Sequence, residues 1–247
     1  MFREMNDLIS KIKSLIKDNL FPESELTKDI LFLLKRLNLK NPIIFDVGAY
    51  QGFWIKKYIK YYPNAIAYLF EPCLKSHEIL ICKFERAKNI NIYKLALSNK
   101  SGSQIVNLNA KSYTNSLLPL DKKASDSWQN DKLQNISNEE VQVTTLDDFA
   151  LKNKIKKINI LKLDVQGYES RVLQGGLELL KKNFIDLVLL EIIVAPTYSN
   201  QSKVNDIFDI FESNNYKLYG IYDIEKKPKR GKIQQFDALF YNGILDL

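Results

Sequence analysis

The chain has 247 residues, of which 45% are hydrophobic, and its 36 Lys and Arg against 29 Asp and Glu give a net charge of +7. This length and composition suffice for the core of one α/β catalytic domain. No stretch approaches the ~20 apolar residues of a membrane span, and the N-terminus lacks the uninterrupted apolar run of a secretion signal. The two cysteines have neither metal-finger spacing nor the pattern of a disulfide framework. We therefore expect a cytoplasmic protein.

The first 40 residues predict a helical cap. Five apolar residues recur at helical spacing, namely Leu8, Ile9, Ile12, Leu15 and Ile16. Residues 30–37 continue the pattern after a break at Pro22. We expect the cap, residues 1–40, to pack on the edge of the domain that follows. A lid over a cofactor or a dimer surface is the functional alternative.

Residues 43–52, IIFDVGAYQG, predict a strand, a turn and the start of a helix. The apolar run ends at Asp46, and Gly48 and Gly52 bracket the turn; residues 53–62 then carry apolar side chains at helical spacing. Glycine permits positive φ and close approach of a ligand, and the helix start offers unpaired N–H groups. This pattern predicts a cofactor site.

The type of cofactor follows from what this turn lacks. It has neither the Gly-x-Gly-x-x-Gly spacing of a dinucleotide site nor the ending of a P-loop. Asp46 disfavours an anion and suits a sulfonium or ammonium group with hydroxyls, as in S-adenosylmethionine (SAM). Residues 65–70 predict a second strand ending in Glu71, where a doubly wound sheet places the acceptor of ribose hydroxyls. NAD also has such a ribose, so Glu71 alone does not choose between the two cofactors.

The remaining chain continues an alternating α/β pattern. The further predicted elements are helices at residues 74–86 and 170–180 and strands at residues 90–97, 158–163, 187–190 and 236–242. Residues 106–141 are polar and too long for an ordinary connection, so we expect a loop-rich insertion there. Its aromatic residues Tyr113 and Trp128 have flat faces on which sugar rings or bases stack, although loop aromatics often only anchor the loop.

The predicted chemistry centres on Asp164, which falls at the carboxyl end of the strand at residues 158–163. Ligands of open α/β sheets sit at such ends. With SAM as the cofactor, methyl transfer would require alignment of a nucleophile with the sulfonium carbon and a proton acceptor. Asp164 is our first candidate base, followed by Glu169 and Glu191. These three carboxylates could instead bind Mg²⁺, but neighbouring Gln166 lacks a charge and weakens that alternative, so we expect no metal.

Five motifs occur in a specific order. They are FDVGAYQG at residues 45–52, FEP at 70–72, LALSNKSG at 95–102, VTTLDDF at 143–149 and LKLDVQGYE at 161–169. This series resembles the FkbM family of SAM-dependent methyltransferases over about residues 43–241. The resemblance implies an α/β, Rossmann-like class I methyltransferase fold in residues 41–247, with a seven-stranded, mostly parallel sheet and an antiparallel final strand.

The resemblance also implies the site residues. It places eight residues at the cofactor, namely Asp46, Gly48, Ala49, Tyr50, Gly52, Glu71, Ser98 and Asp164. Asn115 and Ser116 resemble a short polar signature of the family and, with Gln166, are candidate substrate residues. Two positions depart from the family pattern. Tyr50 stands where the family usually has Asn, and Gln166 where it usually has Glu.

The acceptor implied by the resemblance is a hydroxyl oxygen of a small molecule, such as a sugar or nucleotide-linked sugar in bacterial surface polysaccharide (capsule) biosynthesis. Methyltransferases that act on exocyclic amines of bases typically carry an Asn/Asp-Pro-Pro-aromatic motif at this position. Residues 164–167 read DVQG instead, which disfavours amine methylation of nucleic acid. Three alternatives stay open: a phosphate or phosphoramidate oxygen in a capsule pathway, an RNA methyltransferase using the basic residues 226–232, and a non-catalytic SAM- or nucleotide-binding module. The sequence leaves a homo-oligomer open.

Overall fold

The computed structural model describes residues 23–128, 133–226 and 231–245, and the chain divides after residue 38 into two compact units. In the first unit the described element is helix α1 (Glu25–Arg36). Ser24 caps this helix, since its hydroxyl accepts a hydrogen bond from the backbone N–H of Thr27. The apolar positions between Leu8 and Ile16 of the predicted cap lie outside the described residues.

The described part of the second unit contains ten strands. They are β1 (Ile43–Val47), β2 (Ile66–Phe70), β3 (Ile90–Tyr93), β4 (Ala96–Leu97), β5 (Gly102–Asn109), β6 (Asn135–Thr144), β7 (Ile158–Leu163), β8 (Ile185–Ile193), β9 (Tyr216–Lys226) and β10 (Ile233–Asn242). Seven of them form one sheet in the order β3-β2-β1-β7-β8-β10-β9. In this sheet β3, β2, β1, β7 and β8 pair in parallel. Strand β10 runs antiparallel to its two neighbours, β8 and β9. The expected class I methyltransferase fold is confirmed.

Helices connect these strands. They are α2 (Phe53–Tyr61), α3 (Leu74–Phe84), α4 (Ala124–Ser127), α5 (Leu146–Lys152), α6 (Glu169–Gln174), α7 (Leu177–Lys181) and α8 (Val204–Ser213). One helix was predicted over residues 170–180, but two short ones form because Gly175 lies between them against the chain at Ser98. A Cβ at Gly175 would lie 2.0 Å from the carbonyl oxygen of Ser98. Within the described ranges, no helix is long and apolar enough to cross a membrane.

A second, smaller sheet has the order β4-β6-β5. The single strand predicted over residues 90–97 is therefore two strands in different sheets, with β3 in the large sheet and β4 paired to β6. The expected loop-rich insertion at residues 106–141 contains the end of β5 and most of β6, which pair antiparallel. Most residues of β6 are exposed and polar. Within this strand only Val141 and Val143, two positions apart, are buried. A strand of this kind gives little hydrophobic signal in the sequence.

The core of the large sheet explains why its strand ends are well positioned. Every residue of β7 is buried, as are all those of β8 except Glu191. Phe45 of β1, Phe70 of β2 and Phe149 of α5 pack with ring centroids 4.7–5.9 Å apart. Such tight aromatic packing holds the carboxyl ends of β1 and β2 beside that of β7.

Candidate active site

The turn after β1 lies directly against the end of β7. Gly48 has a φ of 76°, and a Cβ there would lie 1.9 Å from the carbonyl oxygen of Asp164. Gly52 precedes α2 with a φ of 72°, and a Cβ there would lie 2.5 Å from the ring of Phe84. Only glycine fits these two positions, because any side chain would collide with its neighbour as well as strain the backbone. The turn therefore brings its backbone close to Asp164.

Glu71 is buried at the end of β2 and holds the same turn. Its carboxylate accepts hydrogen bonds from the backbone N–H groups of Tyr50, at 2.8 Å, and Cys73, at 3.0 Å. Burial raises the pKa of Glu71 to about 7. Two backbone donors thus fix a carboxylate at the position from which a doubly wound sheet holds ribose hydroxyls.

A cavity lies at the carboxyl ends of β1, β2 and β7, with β4 along one side. Its polar lining includes Gly48, Tyr50, Glu71, Asn115, Ser116, Asp164 and Gln166, and its apolar lining includes Val47, Phe70, Leu95, Ala96, Leu97 and Val106. A largely apolar cavity with a few placed polar groups is typical of a cofactor site. We call it the cofactor cavity.

Four residues expected at the cofactor lie outside this lining, namely Asp46, Ala49, Gly52 and Ser98. Ser98 is fully buried, and its hydroxyl oxygen lies 3.2 Å from the hydroxyl of Tyr168 and accepts a hydrogen bond from the amide of Gln104 at 3.0 Å. In this arrangement Ser98 binds protein groups behind the cavity wall.

Asp46 is fully buried and forms an ion pair with Lys162, its neighbour in register on β7; the Lys162 Nζ lies 3.2 Å from Asp46 Oδ1. The same Nζ lies 3.3 Å from Asp164 Oδ2 and donates to the carbonyl oxygen of Gly48. Burial raises the pKa of Asp46, and Lys162 opposes this. Burial alone would lower the pKa of Lys162, but the negative charges of Asp164 and Asp46 have the larger combined effect and raise it. Lys162 therefore stays charged.

Gln166 joins Asp164 to Glu191. Its Nε2 donates to Asp164 Oδ1 at 2.9 Å and to Glu191 Oε2 at 3.0 Å, and its Oε1 accepts from the hydroxyl of Tyr198 at 3.0 Å. An amide can donate to two carboxylates at once, which an ionised Glu could not. Two of the three expected catalytic carboxylates, Asp164 and Glu191, are therefore brought together through this side chain.

Glu191 and Glu169, the second-rank catalytic candidates, have different surroundings. Glu191 also accepts a hydrogen bond from Gln235 at 2.8 Å, and burial, with the charges of Asp164 and Asp237, raises the pKa of Glu191 well above its usual range. Glu169 instead accepts from the backbone N–H of Gly167, at 3.0 Å, within its own loop. Burial raises the pKa of Glu169 to about 7. The described cavities do not include Glu169 in their lining.

A second cavity opens beside the first, and Gln166 and Tyr113 line both. Trp128 forms part of its wall, and its indole N–H donates to the hydroxyl of Thr197 at 2.7 Å. Its lining also includes Glu191, Tyr198, Glu225 and Gln235. We call it the second cavity. Its position next to Asp164 and Gln166 makes it a candidate for the acceptor.

Comparison with known proteins identifies the family. The family profile of the Methyltransferase FkbM domain matches residues 46–218. The chain belongs to the FkbM methyltransferase family. It is accordingly a methyltransferase with SAM as its cofactor.

Three proteins similar to this FkbM protein share 9–21% sequence identity with it. The 2-O-methyltransferase NoeI of Sinorhizobium fredii is 21% identical, over 73% of this chain and 75% of NoeI. A SAM-dependent methyltransferase from Clostridium acetobutylicum is 9% identical with a TM-score of 0.46, covering 97% of this chain and 99% of the other. Magnesium protoporphyrin IX methyltransferase from Synechocystis PCC 6803 with bound SAM is 12% identical with a TM-score of 0.45, covering 87% and 77%.

The cofactor cavity of this family member suits SAM chemically. Glu71 would offer a fixed carboxylate to ribose hydroxyls, and the apolar residues Leu95 and Leu97 would suit an adenine ring. The described lining contains carboxylates and no Lys or Arg, which fits a cofactor with a sulfonium charge and no phosphate. In the described part of the chain, no group of three or more His, Cys, Asp or Glu is arranged to hold a metal ion.

Tyr50 and Gln166, the two residues that depart from the family pattern, both form hydrogen bonds with the insertion. Tyr50, in place of the usual Asn, has a φ of 49°, and its hydroxyl lies 3.0 Å from that of Ser112 in the insertion. Gln166 accepts at its backbone oxygen a hydrogen bond from the hydroxyl of Ser116 at 2.8 Å. Asn115 accepts from the backbone N–H of Asn109 at 2.8 Å. The contacts of Ser112 and Ser116 hold the insertion over the cofactor cavity, and the contact of Asn115 lies within the insertion.

Sequence reasoning did not identify Tyr198, Glu225 and Gln235 as site residues. They follow Asp164 by 30 residues or more. Glu225 and Gln235 are register partners on β9 and β10, whereas Tyr198 lies after β8 and reaches the site through its hydrogen bond to Gln166. The signal in the sequence was weak. Polar residues alternate with buried ones in β10, but that pattern is equally typical of a solvated strand.

Proposed function

We propose that the protein transfers the methyl group of SAM to a hydroxyl oxygen of a small polyhydroxylated acceptor, a sugar or a nucleotide-linked sugar. One observation carries the proposal. Asp164 lines the cofactor cavity and is hydrogen-bonded to Gln166, which lines both cavities. A carboxylate therefore lies at the junction, where a hydroxyl aligned with the methyl group would lose its proton.

Each polar residue has a role in this proposal. SAM supplies an electrophilic methyl group. Asp164 accepts the proton of the attacking hydroxyl, and Lys162 beside it balances the negative charge. Glu71 accepts hydrogen bonds from ribose hydroxyls, and Gln166 holds the Asp164 carboxylate in place. Glu191 supports the Gln166 amide from the acceptor side.

The similarity to a 2-O-methyltransferase supports oxygen as the acceptor atom, and we extend the proposal to cytoplasmic biosynthesis of a bacterial surface polysaccharide such as capsule. Methylation of a phosphate or phosphoramidate oxygen, methylation of RNA and cofactor binding without catalysis are the competing functions. In the proposed organisation, residues 1–40 form a helical cap and residues 41–247 the methyltransferase domain.

The proposal is tested with Asp164→Asn, which keeps the size and a hydrogen-bonding group at this position but removes the base. We expect turnover with labelled SAM and a panel of saccharides to fall about 100-fold or more, the usual contribution of a general base. Binding of S-adenosylhomocysteine, measured by isothermal titration calorimetry, should remain. Asp209→Asn, an exposed Asp on α8, is the matched control. Undiminished turnover in Asp164→Asn would contradict the role given to this residue.

A further inference from the structure

The second cavity combines a fixed aromatic wall with hydrogen-bond acceptors. Trp128 is held by its hydrogen bond to Thr197, which is 2% exposed and itself donates to the carbonyl oxygen of Ala195 at 2.9 Å. An indole ring fixed in this way offers a flat apolar surface beside polar groups. The C–H face of a sugar ring packs on such a surface while the ring hydroxyls donate to neighbouring oxygens.

The ionisable acidic residues in the described lining of this cavity are not balanced there by basic ones, although the net charge of the chain is +7. Glu225 lines the cavity and Asp164 lies across Gln166 from it, whereas the raised pKa of Glu191, which also lines the cavity, favours its neutral form. Among the described lining residues of the two cavities there is no Lys, Arg or His. Lys162 lies nearby, but it is 8% exposed and already paired with Asp46 and Asp164.

Several donors in the described lining of the second cavity are already in use. Both donor contacts of the Gln166 amide go to carboxylates, and the Gln235 amide donates to Glu191. The indole N–H of Trp128 is taken by Thr197. An entering phosphate or carboxylate would therefore meet like charges and few available donors, whereas hydroxyl or ammonium groups would find acceptors.

We propose that the second cavity is the acceptor site and that it selects a saccharide whose reacting end is neutral or carries an ammonium group, and rejects one that carries a phosphate or carboxylate there. This inference rests on the proposed function and narrows its substrate class. It disfavours a phosphate oxygen and an RNA backbone as acceptors. A nucleotide-linked sugar fits only if its diphosphate stays outside the second cavity.

The test compares matched ligands in the presence of saturating S-adenosylhomocysteine. Methyl glucoside, methyl glucosaminide, methyl glucuronide and glucose 6-phosphate share a ring and differ in charge. Saturation-transfer NMR titrations should show the first two binding at least about five-fold more tightly than the two anions, a modest difference for a like-charge contact. Equal or tighter binding of the anions would overturn the inference and leave methyl transfer to a hydroxyl intact.

Two variants connect this preference to the second cavity. Glu225→Lys should reduce or reverse the discrimination against the anions, and Glu225→Gln should reduce it by a smaller factor. Glu212→Lys makes the same charge change at an exposed position on α8 and should leave the preference unchanged. If both Glu225 variants keep the preference of the unsubstituted protein, the assignment to this cavity is overturned. If none of the saccharides binds while S-adenosylhomocysteine does, the sugar acceptor of the proposed function fails as well.

Discussion

Lys162 is the residue on which the charge balance of the site depends. It is the cation shared by Asp46, which is fully buried, and Asp164. Removing one partner of a buried ion pair leaves an uncompensated charge and typically costs about 3–5 kcal/mol. We expect Lys162→Met to lower the free energy of unfolding by about this amount, as measured by urea denaturation.

Two further variants separate charge from packing. Lys60→Met replaces an exposed lysine of α2 and should change stability by less than about 0.5 kcal/mol. Asp46→Asn combined with Lys162→Met removes both partners of the deeper pair and should recover part of the loss. A Lys162→Met protein as stable as the unsubstituted protein would show that the ion pair does not hold the strand ends together.

Single residues of the site were predictable where a strand end fixed their position. Glu71 and Asp164 follow apolar runs that became β2 and β7, and both line the cofactor cavity. Lys162 alternates with Leu161 and Leu163 along β7, and its side chain pairs with that of Asp46. The loop contacts of Glu169 were not predictable, because its carboxylate accepts from backbone groups whose direction depends on the local turn.

The contact between the β1 turn and β7 gives a prediction for the element that we propose binds the cofactor. Gly48→Ala places a Cβ against the backbone of Asp164, whereas Gly231→Ala, at a φ of 62°, meets nothing within 4 Å. Both substitutions incur a similar backbone cost of about 1–2 kcal/mol, because both positions have a left-handed backbone. We therefore expect Gly48→Ala to be clearly more destabilising in urea denaturation and to lose S-adenosylhomocysteine binding. Equal losses in the two variants would contradict the close approach.

Elements were predictable where burial made their pattern strong. The strand predicted over residues 158–163 matches β7, because each of its residues is buried and the apolar run is almost continuous. The small sheet was not predicted, because β6 is largely exposed and its pairing with β4 depends on residues about 50 positions apart. A local pattern cannot indicate which sheet a short strand joins.

The molecule as a whole should lose stability as pH rises towards neutrality. Burial raises the pKa of Glu71 and Glu169 to about 7 from an ordinary 4.5, and that of Asp237 to about 7. The folded state therefore holds these protons more tightly than the unfolded state, so the stabilisation is complete below about pH 4.5 and is lost as pH rises through about 7. Each fully buried group accounts for up to about 3 kcal/mol.

Urea denaturation of the cofactor-free protein at about pH 5.5 and about pH 8 checks this prediction. We expect higher stability at the lower pH. Glu169→Gln keeps an oxygen for the N–H of Gly167 and should reduce the difference between the two pH values, whereas Glu212→Gln, at an exposed position, should leave it unchanged. Stability that rises between these pH values would contradict the raised pKa values.

The polar side chains at the carboxyl edge of the large sheet form one line across four adjacent strands. Asp46, Lys162, Glu191 and Gln235 come from β1, β7, β8 and β10, and Asp164 and Gln166 connect them. Contacting residues of such a network have non-additive effects when substituted. Evolution of a new acceptor preference in this protein would therefore be epistatic, since a change on β10 alters which residues are tolerated beside the cofactor cavity on β7 and β1.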